Sequence, residues 1–296
     1  MSSFSRRTFI KTGVAASALT TSGGLPLRAT TDAATEWVTL GKSNVKVTRL
    51  AFGTGTHGGR VQQALGQEDF TRLVRYAYDR GIRFFETAES YGESQQMLGK
   101  ALKGLPRDSY RLMSKVTTWD SGNAAAHLDQ LLKNSDTEYF DIMLLHWQHT
   151  ADWPETTKRW QDGILEAQQR KTIRTHGASV HGLPALRQMP GTHWLDVGLI
   201  RVNHSGARMD GPTYEDTNHP ANVSEVVDHI HTLKKEGLGV IGMKLCGGGQ
   251  FENSHDDRVK AMKFAFQNAG VDCATVGFKS TQEIDEAISN MNLALA

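Results

Sequence analysis

Cysteine is nearly absent from this chain: Cys246 and Cys273 are the only two in 296 residues. They lie far apart and lack the close spacing of a metal site, so two buried free thiols are expected. Charge of one sign is missing too. Lysine and arginine number 33 against 32 aspartates and glutamates, a balance that gives no electrostatic basis for binding nucleic acid or a membrane surface. No long hydrophobic run occurs. The most apolar stretch near the N-terminus, Thr12 to Leu19, is far shorter than the ~20 residues of a membrane span. No low-complexity linker, charge block or short repeat divides the chain. Histidine is plentiful at 12 residues, yet no H-E-x-x-H or comparable metal spacing appears.

The N-terminus reads as an address. Ser5-Arg6-Arg7-Thr8-Phe9-Ile10-Lys11 has the form of a twin-arginine export signal, followed by the short apolar stretch and by small and polar residues to Ala34. Residues 1–34 are therefore set apart as a signal peptide, with cleavage after Ala29 or Ala34. No cysteine lies near that region, so no lipoprotein anchor is expected. The expectation is a protein handed to the twin-arginine machinery and exported, with the periplasm as its destination. Removing the signal leaves 29 basic and 31 acidic residues. The remainder, 35–296, has the size of one α/β barrel.

Along that remainder, strand and helix patterns alternate. Trp37 to Leu40 and Val45 to Val47 flank Gly41-Lys42-Ser43-Asn44, the signature of a β-hairpin suited to closing the bottom of a barrel. Strands are expected near 48–53, 82–86, 110–115, 140–145, 173–178, 196–202, 239–244 and 273–277. Helices are expected near 67–80, 93–103, 122–134, 156–170, 182–188, 223–236, 256–268 and 281–290. In the first, Phe70, Leu73, Val74 and Ala77 recur at helical spacing. Alternation implies a parallel sheet, and eight repeats argue for a closed (β/α)8 TIM barrel with an N-terminal β-hairpin. The segment from His204 to Asn222, rich in Gly, Pro, Asn and Asp, reads as a long loop.

Chemistry-bearing residues gather at the C-terminal ends of these strands. Glu86 and Tyr91 follow Ile82–Phe85, Lys115 follows Tyr110–Met113, and His146 follows Phe140–Leu145. Barrel topology brings such positions to one mouth, where a carboxylate, a phenol, an ammonium and an imidazole could move a proton. This ordered set resembles the aldo-keto reductase family, whose pattern is D-T-A-x-x-Y-G, then Lys, then His on successive strands. Leu50-Ala51-Phe52-Gly53-Thr54-Gly55, Asp141 to Trp147, Gly237 to Gly249 and Val276-Gly277-Phe278-Lys279-Ser280 extend the resemblance over roughly 36–290. It implies interconversion of a carbonyl and an alcohol with NADP or NAD, NADP being the more usual. Tyr91 would be the proton donor, Lys115 would lower its pKa, Glu86 would hold Lys115, and His146 would orient the substrate carbonyl. The family aspartate is Glu86 here, with a reach longer by about 1.5 Å, one carbon–carbon bond. A small carbonyl or alcohol compound is the implied partner, with loops rich in His, Asn and Asp pointing to a sugar-like one. Many members carry a C-terminal loop over the mouth. This chain is expected to lack it, leaving the mouth open unless the segment 204–222 compensates.

On the cofactor side, the resemblance implies contacts from Thr54, Ser179, Arg201, His204, Leu245, Lys279, Ser280 and Glu286. Several depart from the pattern. Val180 stands for an asparagine, Arg201 for a glutamine, and His204 for the tyrosine that stacks on nicotinamide. Glu283 lies near the place of the arginine that grips the 2′-phosphate, and Glu286-Ala287 replaces a Glu-Asn pair. Arg201 could meet the cofactor or the substrate, or equally form a structural ion pair. Lys279 and Ser280 open a helix whose N-terminus favours phosphate, and Gly247-Gly248-Gly249 allows a close backbone approach.

Two other readings use the same residues. His57, His146, His149, His176, His181 and His204 with Glu86 could hold a divalent metal, making the chain a hydrolase or isomerase. Alternatively, a catalytically silent barrel could bind a ligand without turnover.

Overall fold

The structure, a computed structural model, describes residues 32–119, 122–215 and 222–296. The export signal expected over 1–34 lies, apart from its last three residues, outside the described residues. The hairpin comes first. Strands β1 (Trp37–Thr39) and β2 (Lys46–Thr48) pair antiparallel, with Val38 opposite Val47. Their turn is a short 3₁₀ segment, Gly41–Ser43, ended by Asn44 in the left-handed region at φ 60°.

Eight parallel strands then close into a barrel: β3 (Leu50–Gly53), β4 (Phe84–Glu86), β5 (Arg111–Val116), β6 (Phe140–Gln148), β7 (Ile173–Val180), β8 (Val197–Arg201), β9 (Gly239–Met243) and β10 (Cys273–Gly277). Closure comes from β10, which pairs with both β9 and β3. Strand alternation sorts the side chains into two cores. Ala51, Phe84, Met113, Ile142, Leu144, Val197, Leu199, Ile241, Met243 and Cys273 fill the barrel interior, joined by Leu40, Val45 and Val47 of the hairpin. The hairpin is therefore the bottom plug. Lys42 N donates to Gly237 O at 2.7 Å, and Gly41 has no room for a side chain, since a Cβ would strike the backbone of Gly237–Gly239. Alternate residues, among them Phe52, Phe85, Leu112, Met143, Leu145, Ile200 and Val240, face the helix layer.

The helices are α1 (Arg60–Gln63), α2 (Gly66–Asp79), α3 (Ser94–Leu102), α4 (Ala124–Asn134), α5 (Trp153–Thr156), α6 (Lys158–Gln169), α7 (Leu183–Leu186), α8 (Val223–Lys235), α9 (His255–Lys263) and α10 (Thr281–Leu295). Several differ from expectation. One helix expected over 156–170 becomes α5 and α6, meeting at Thr157, whose hydroxyl turns back onto Trp153 O at 2.7 Å. The one expected over 182–188 shrinks to a single turn, and α9 gives way to a π-turn over Phe264–Asn268. The short α1 carries no periodicity that a sequence pattern could reveal. Strand β6 runs on to Gln148, so His146 lies within it rather than beyond it. Among the thiols, Cys273 is buried inside the barrel, but Cys246 is only half-buried because it lies past the end of β9.

The buried carboxylate of Asp141, on β6, is held by Arg107 at 2.9 Å, Arg174 at 2.9 Å and Arg111 at 3.6 Å. It also accepts from Leu112 N at 2.9 Å. No helix among the described residues is long and apolar enough to cross a membrane.

Candidate active site

The same alternation that fills the interior aims the polar residues. Two residues beyond inward-facing Phe84, Met113, Leu144 and Leu199 stand Glu86, Lys115, His146 and Arg201. All four are nearly inaccessible, with exposures of 3%, 1%, 7% and 7%. They share the barrel interior's face at the C-terminal end of the strands, and Thr275, two beyond Cys273, joins them on β10.

Lys115 Nζ pairs with Glu86 Oε1 and donates to Thr87 O at 2.8 Å. Thr275 Oγ1 donates to the other Glu86 oxygen at 3.2 Å. Tyr91 arrives on a tight turn after β4, its N–H bonded to Ala88 O at 3.2 Å. The Lys115 ammonium stands 4.6 Å from the centre of the Tyr91 ring, and the His146 ring packs edge-on to that ring at 5.4 Å. Gly55 makes room for the phenol, because a Cβ there would lie 2.7 Å from the Tyr91 hydroxyl. Ser90 Oγ lies 3.0 Å from His146 Nδ1. A hydroxyl donating there places the ring proton on Nε2.

Electrostatics revise one expectation. Lys115 was expected to lower the pKa of Tyr91, but its charge is engaged by Glu86. The phenol is instead pushed well above its usual range, first by burial and then by the Glu86 carboxylate. The longer reach of Glu86 keeps a negative charge near both partners. Burial also lowers Lys115, against the pull of Glu86. His146 falls well below the ordinary imidazole range, through burial and then through Lys115 and Lys244, so it is neutral at physiological pH.

The residues expected on the cofactor fall into separate groups. Thr54 is buried beside the catalytic set, with its N–H on Glu86 O at 3.0 Å and its hydroxyl on Thr87 Oγ1 at 3.0 Å. Ser179 Oγ is buried with no hydrogen-bond partner. Arg201 donates through Nη2 to His181 Nδ1 at 2.5 Å and has Asp210 Oδ1 3.4 Å from Nη1. Asp210 accepts from Gly182 N at 2.7 Å, and burial pushes its carboxyl up to about 6 against the pull of Arg201. His204 reaches Asp257 at 3.2 Å and lies 5.3 Å from the Phe251 ring. Leu245 is buried and packs into the helix layer.

At the start of α10, Ser280 and Glu283 cap each other's ends. Ser280 Oγ accepts from Glu283 N at 3.3 Å, and a Glu283 oxygen accepts from Lys279 N at 2.7 Å. Lys279 Nζ is held by Glu252 at 2.5 Å, and Glu286 by Arg258 at 2.6 Å. Residues Gly247, Gly248 and Gly249 all have positive φ, a run of left-handed backbone that only glycine adopts readily.

Sequence reasoning passed over Ser90, Thr275, Asp210 and Lys244. Thr275 was within reach, since it follows Cys273 at the strand period. The others depend on loop geometry. Among the described residues, no group of three or more His, Cys, Asp or Glu side chains could hold a metal ion, so the metal-dependent alternative finds no support.

Residues 49–291 match the model of the aldo/keto reductase family. The chain therefore belongs to the aldo/keto reductase family. It is 28% identical over 219 residues to an L-galactose dehydrogenase of Arabidopsis thaliana, covering 68% of this chain and 62% of that one. The chain spans between 38% and 62% of the length of such curated relatives. A putative aldo-keto reductase structure from Pseudomonas aeruginosa superimposes with a TM-score of 0.70 at 20% identity, over 89% of this chain and 98% of that one. An aldo-keto reductase of Klebsiella pneumoniae in complex with NADPH superimposes at 0.62 with 21% identity, over 87% and 89%. At such identity these two structures speak for the fold alone.

Proposed function

We propose that this chain is an NAD(P)(H)-dependent oxidoreductase interconverting a carbonyl and an alcohol on a small, sugar-like molecule. The observation that carries this reading is the Tyr91–Lys115–Glu86–His146 cluster assembled at the barrel mouth by three neighbouring strands, β4, β5 and β6, and the turn that follows β4. The buried, unpartnered hydroxyl of Ser179 suits a carboxamide that completes its hydrogen bonding, which fits a nicotinamide at the mouth. Ser179, Thr54 and His204 would hold that end, while Lys279 and Ser280 would meet the phosphates once Glu283 yields. When bound, the nicotinamide supplies or accepts the hydride at the reacting carbon. Membership of the aldo/keto reductase family supports NADP or NAD as the cofactor.

In reduction, Tyr91 gives its proton to the carbonyl oxygen. In oxidation, its phenolate takes the alcohol proton. His146, neutral with its proton on Nε2, holds the oxygen by hydrogen bonding. Lys115 screens the charge that forms on Tyr91, and Glu86 holds Lys115 in place. Tyr91→Phe keeps the ring and removes the proton, so kcat for the best carbonyl substrate should fall ~10²-fold or more. Unchanged turnover would show that Tyr91 is not the acid.

We further propose that the chain is exported, on the strength of Arg6-Arg7 followed by Phe9-Ile10-Lys11.

A further inference from the structure

The catalytic cluster borders a set of aromatic rings that the proposed reaction does not use. Strand β6 loses register with β7 between Leu145 and Gln148. The break falls at Trp147, whose φ is +57°, a left-handed conformation that is a genuine outlier for a bulky residue. In an unbroken strand this residue would follow inward-facing His146 by pointing into the helix layer. Instead its indole meets Trp119 edge-on at 5.5 Å and Tyr214 edge-on at 5.3 Å. His149 lies over the same indole at 4.8 Å and reaches Tyr214 at 4.6 Å. Trp119 is 65% exposed, the most exposed large hydrophobic side chain among the described residues. Bulges next to active sites re-aim side chains, and backbone strain persists where the surroundings hold it for a purpose.

The wall continues directly into polar groups. His181 packs edge-on to Trp147 at 6.5 Å and to His146 at 6.4 Å. A guanidinium can only donate, so the contact from Arg201 makes His181 Nδ1 an acceptor and leaves the ring proton on Nε2. Arg201 Nε is buried and donates no hydrogen bond, while Nη1 meets the Asp210 carboxylate at 3.4 Å.

We propose that Trp147, Trp119 and Tyr214 form a stacking wall for a pyranose ring, with His181 and Arg201 binding the ring's hydroxyls. A sugar ring has an apolar face of C–H bonds and an edge of hydroxyls that both donate and accept. It therefore matches an aromatic wall that turns into a buried, unsatisfied donor, Arg201 Nε. An aromatic carbonyl compound would match the wall and leave Arg201 Nε unpaired. An acyclic polyol would satisfy that donor and leave Trp119 bare. The proposal names the substrate class of the oxidoreductase site above, and rests on that reading only for where the reacting carbon lies.

The test is a titration of intrinsic tryptophan fluorescence in the full chain, independent of turnover. D-Galactose, D-glucose and methyl β-D-glucoside serve as pyranose probes. Galactitol lacks the ring, and benzyl alcohol lacks the hydroxyl edge. Saturable emission changes are expected with the pyranoses alone. Trp119→Ala should weaken that binding roughly 10-fold, the scale of one lost aromatic contact. In turnover, the same variant should raise KM for a sugar substrate by a similar factor while kcat holds. Circular dichroism and a thermal midpoint establish that this variant of an exposed residue is folded. Saturable binding of benzyl alcohol without binding of pyranoses would overturn the proposal, as would equal responses to galactitol and galactose. No response to any pyranose near its solubility limit would overturn it too. If pyranoses bind but no carbonyl compound is turned over with either cofactor, the wall stands and the oxidoreductase reading falls.

Discussion

Glu86 is the residue on which the chemistry of this site turns. An aspartate there would reach Lys115 and stop. The longer side chain reaches Lys115, takes a hydrogen bond from Thr275 and still bears on the Tyr91 phenol. A phenol whose pKa is raised stays protonated as pH climbs, which keeps the acid needed for reduction and withholds the base needed for oxidation. Reduction should therefore hold its kcat/KM through neutral pH and decline only in the alkaline range, while oxidation should be slow at pH 7. Glu86→Asp draws the carboxylate away from the phenol, so the alkaline limb for reduction should move to lower pH and oxidation near pH 7 should quicken. Matched pH–rate profiles in both directions measure this, and identical limbs in the two proteins would exonerate Glu86. Glu86→Gln is a harsher change. It leaves the Lys115 ammonium buried without its counter-charge, a loss of about 3–5 kcal/mol in stability.

At the scale of elements, the first turn of α10 is the place where structure and proposed cofactor compete. A helix N-terminus favours an anion, and here Glu283 is that anion, accepting from Lys279 N. A phosphate must displace it or lie beside a like charge. Glu283→Gln removes the charge while keeping an oxygen for the cap. NADPH should then bind roughly 2- to 5-fold more tightly, judged by the size of helix-terminus charge effects. The helix should lose no more than about 1 kcal/mol through its weaker cap. Nicotinamide fluorescence and an unfolding midpoint report the two quantities, and weaker NADPH binding in this variant would mean that Glu283 assists the cofactor. The loop from His204 also acts as an element. Its Tyr214 packs against Trp147, so part of that segment walls the mouth.

For the whole molecule, buried titratable groups set the response to acid. His146 and His181 have pKa values well below the unfolded imidazole. As pH falls through about 6.5, the unfolded chain takes up protons that the folded chain refuses. Stability therefore drops, by at most about 1.4 kcal/mol per pH unit for each imidazole. Asp210 acts in the opposite sense. Its folded pKa of about 6 exceeds the ordinary 3.8, so its contribution is present at low pH and lost as pH rises toward 6. Two histidines outweigh one aspartate, and urea unfolding should give a lower midpoint at pH 5 than at pH 7. A midpoint that rises on acidification would contradict the burial of these imidazoles. Export is tested at the same scale. Arg6→Lys with Arg7→Lys should hold the precursor in the cytoplasm, and export without the twin-arginine machinery would refute that route. An exported oxidoreductase has no pool of free reduced nicotinamide around it, so natively purified protein should release NAD or NADP on denaturation. Protein that is empty and does not bind added cofactor would speak for a silent barrel.

Much was settled by local pattern. Strand-length apolar runs spaced by helical patterns specify a (β/α)8 barrel, because each buried strand must be covered by the helix that follows it. The polar residues ending those runs marked Glu86, Lys115 and His146, since a strand's period of two carries an inward face from the core to the mouth. Tertiary structure decided what depends on long-range neighbours. Whether Glu86 serves Lys115 alone or also burdens Tyr91 depends on how closely β3, β4 and β10 pack around it. That Glu283 blocks its own helix end is a matter of side-chain direction. The turn of Trp147 toward the mouth follows from a one-residue loss of register between β6 and β7, which no spacing in β6 by itself reveals. Periodicity records which face a residue takes, while the pairing of distant strands determines what it meets there.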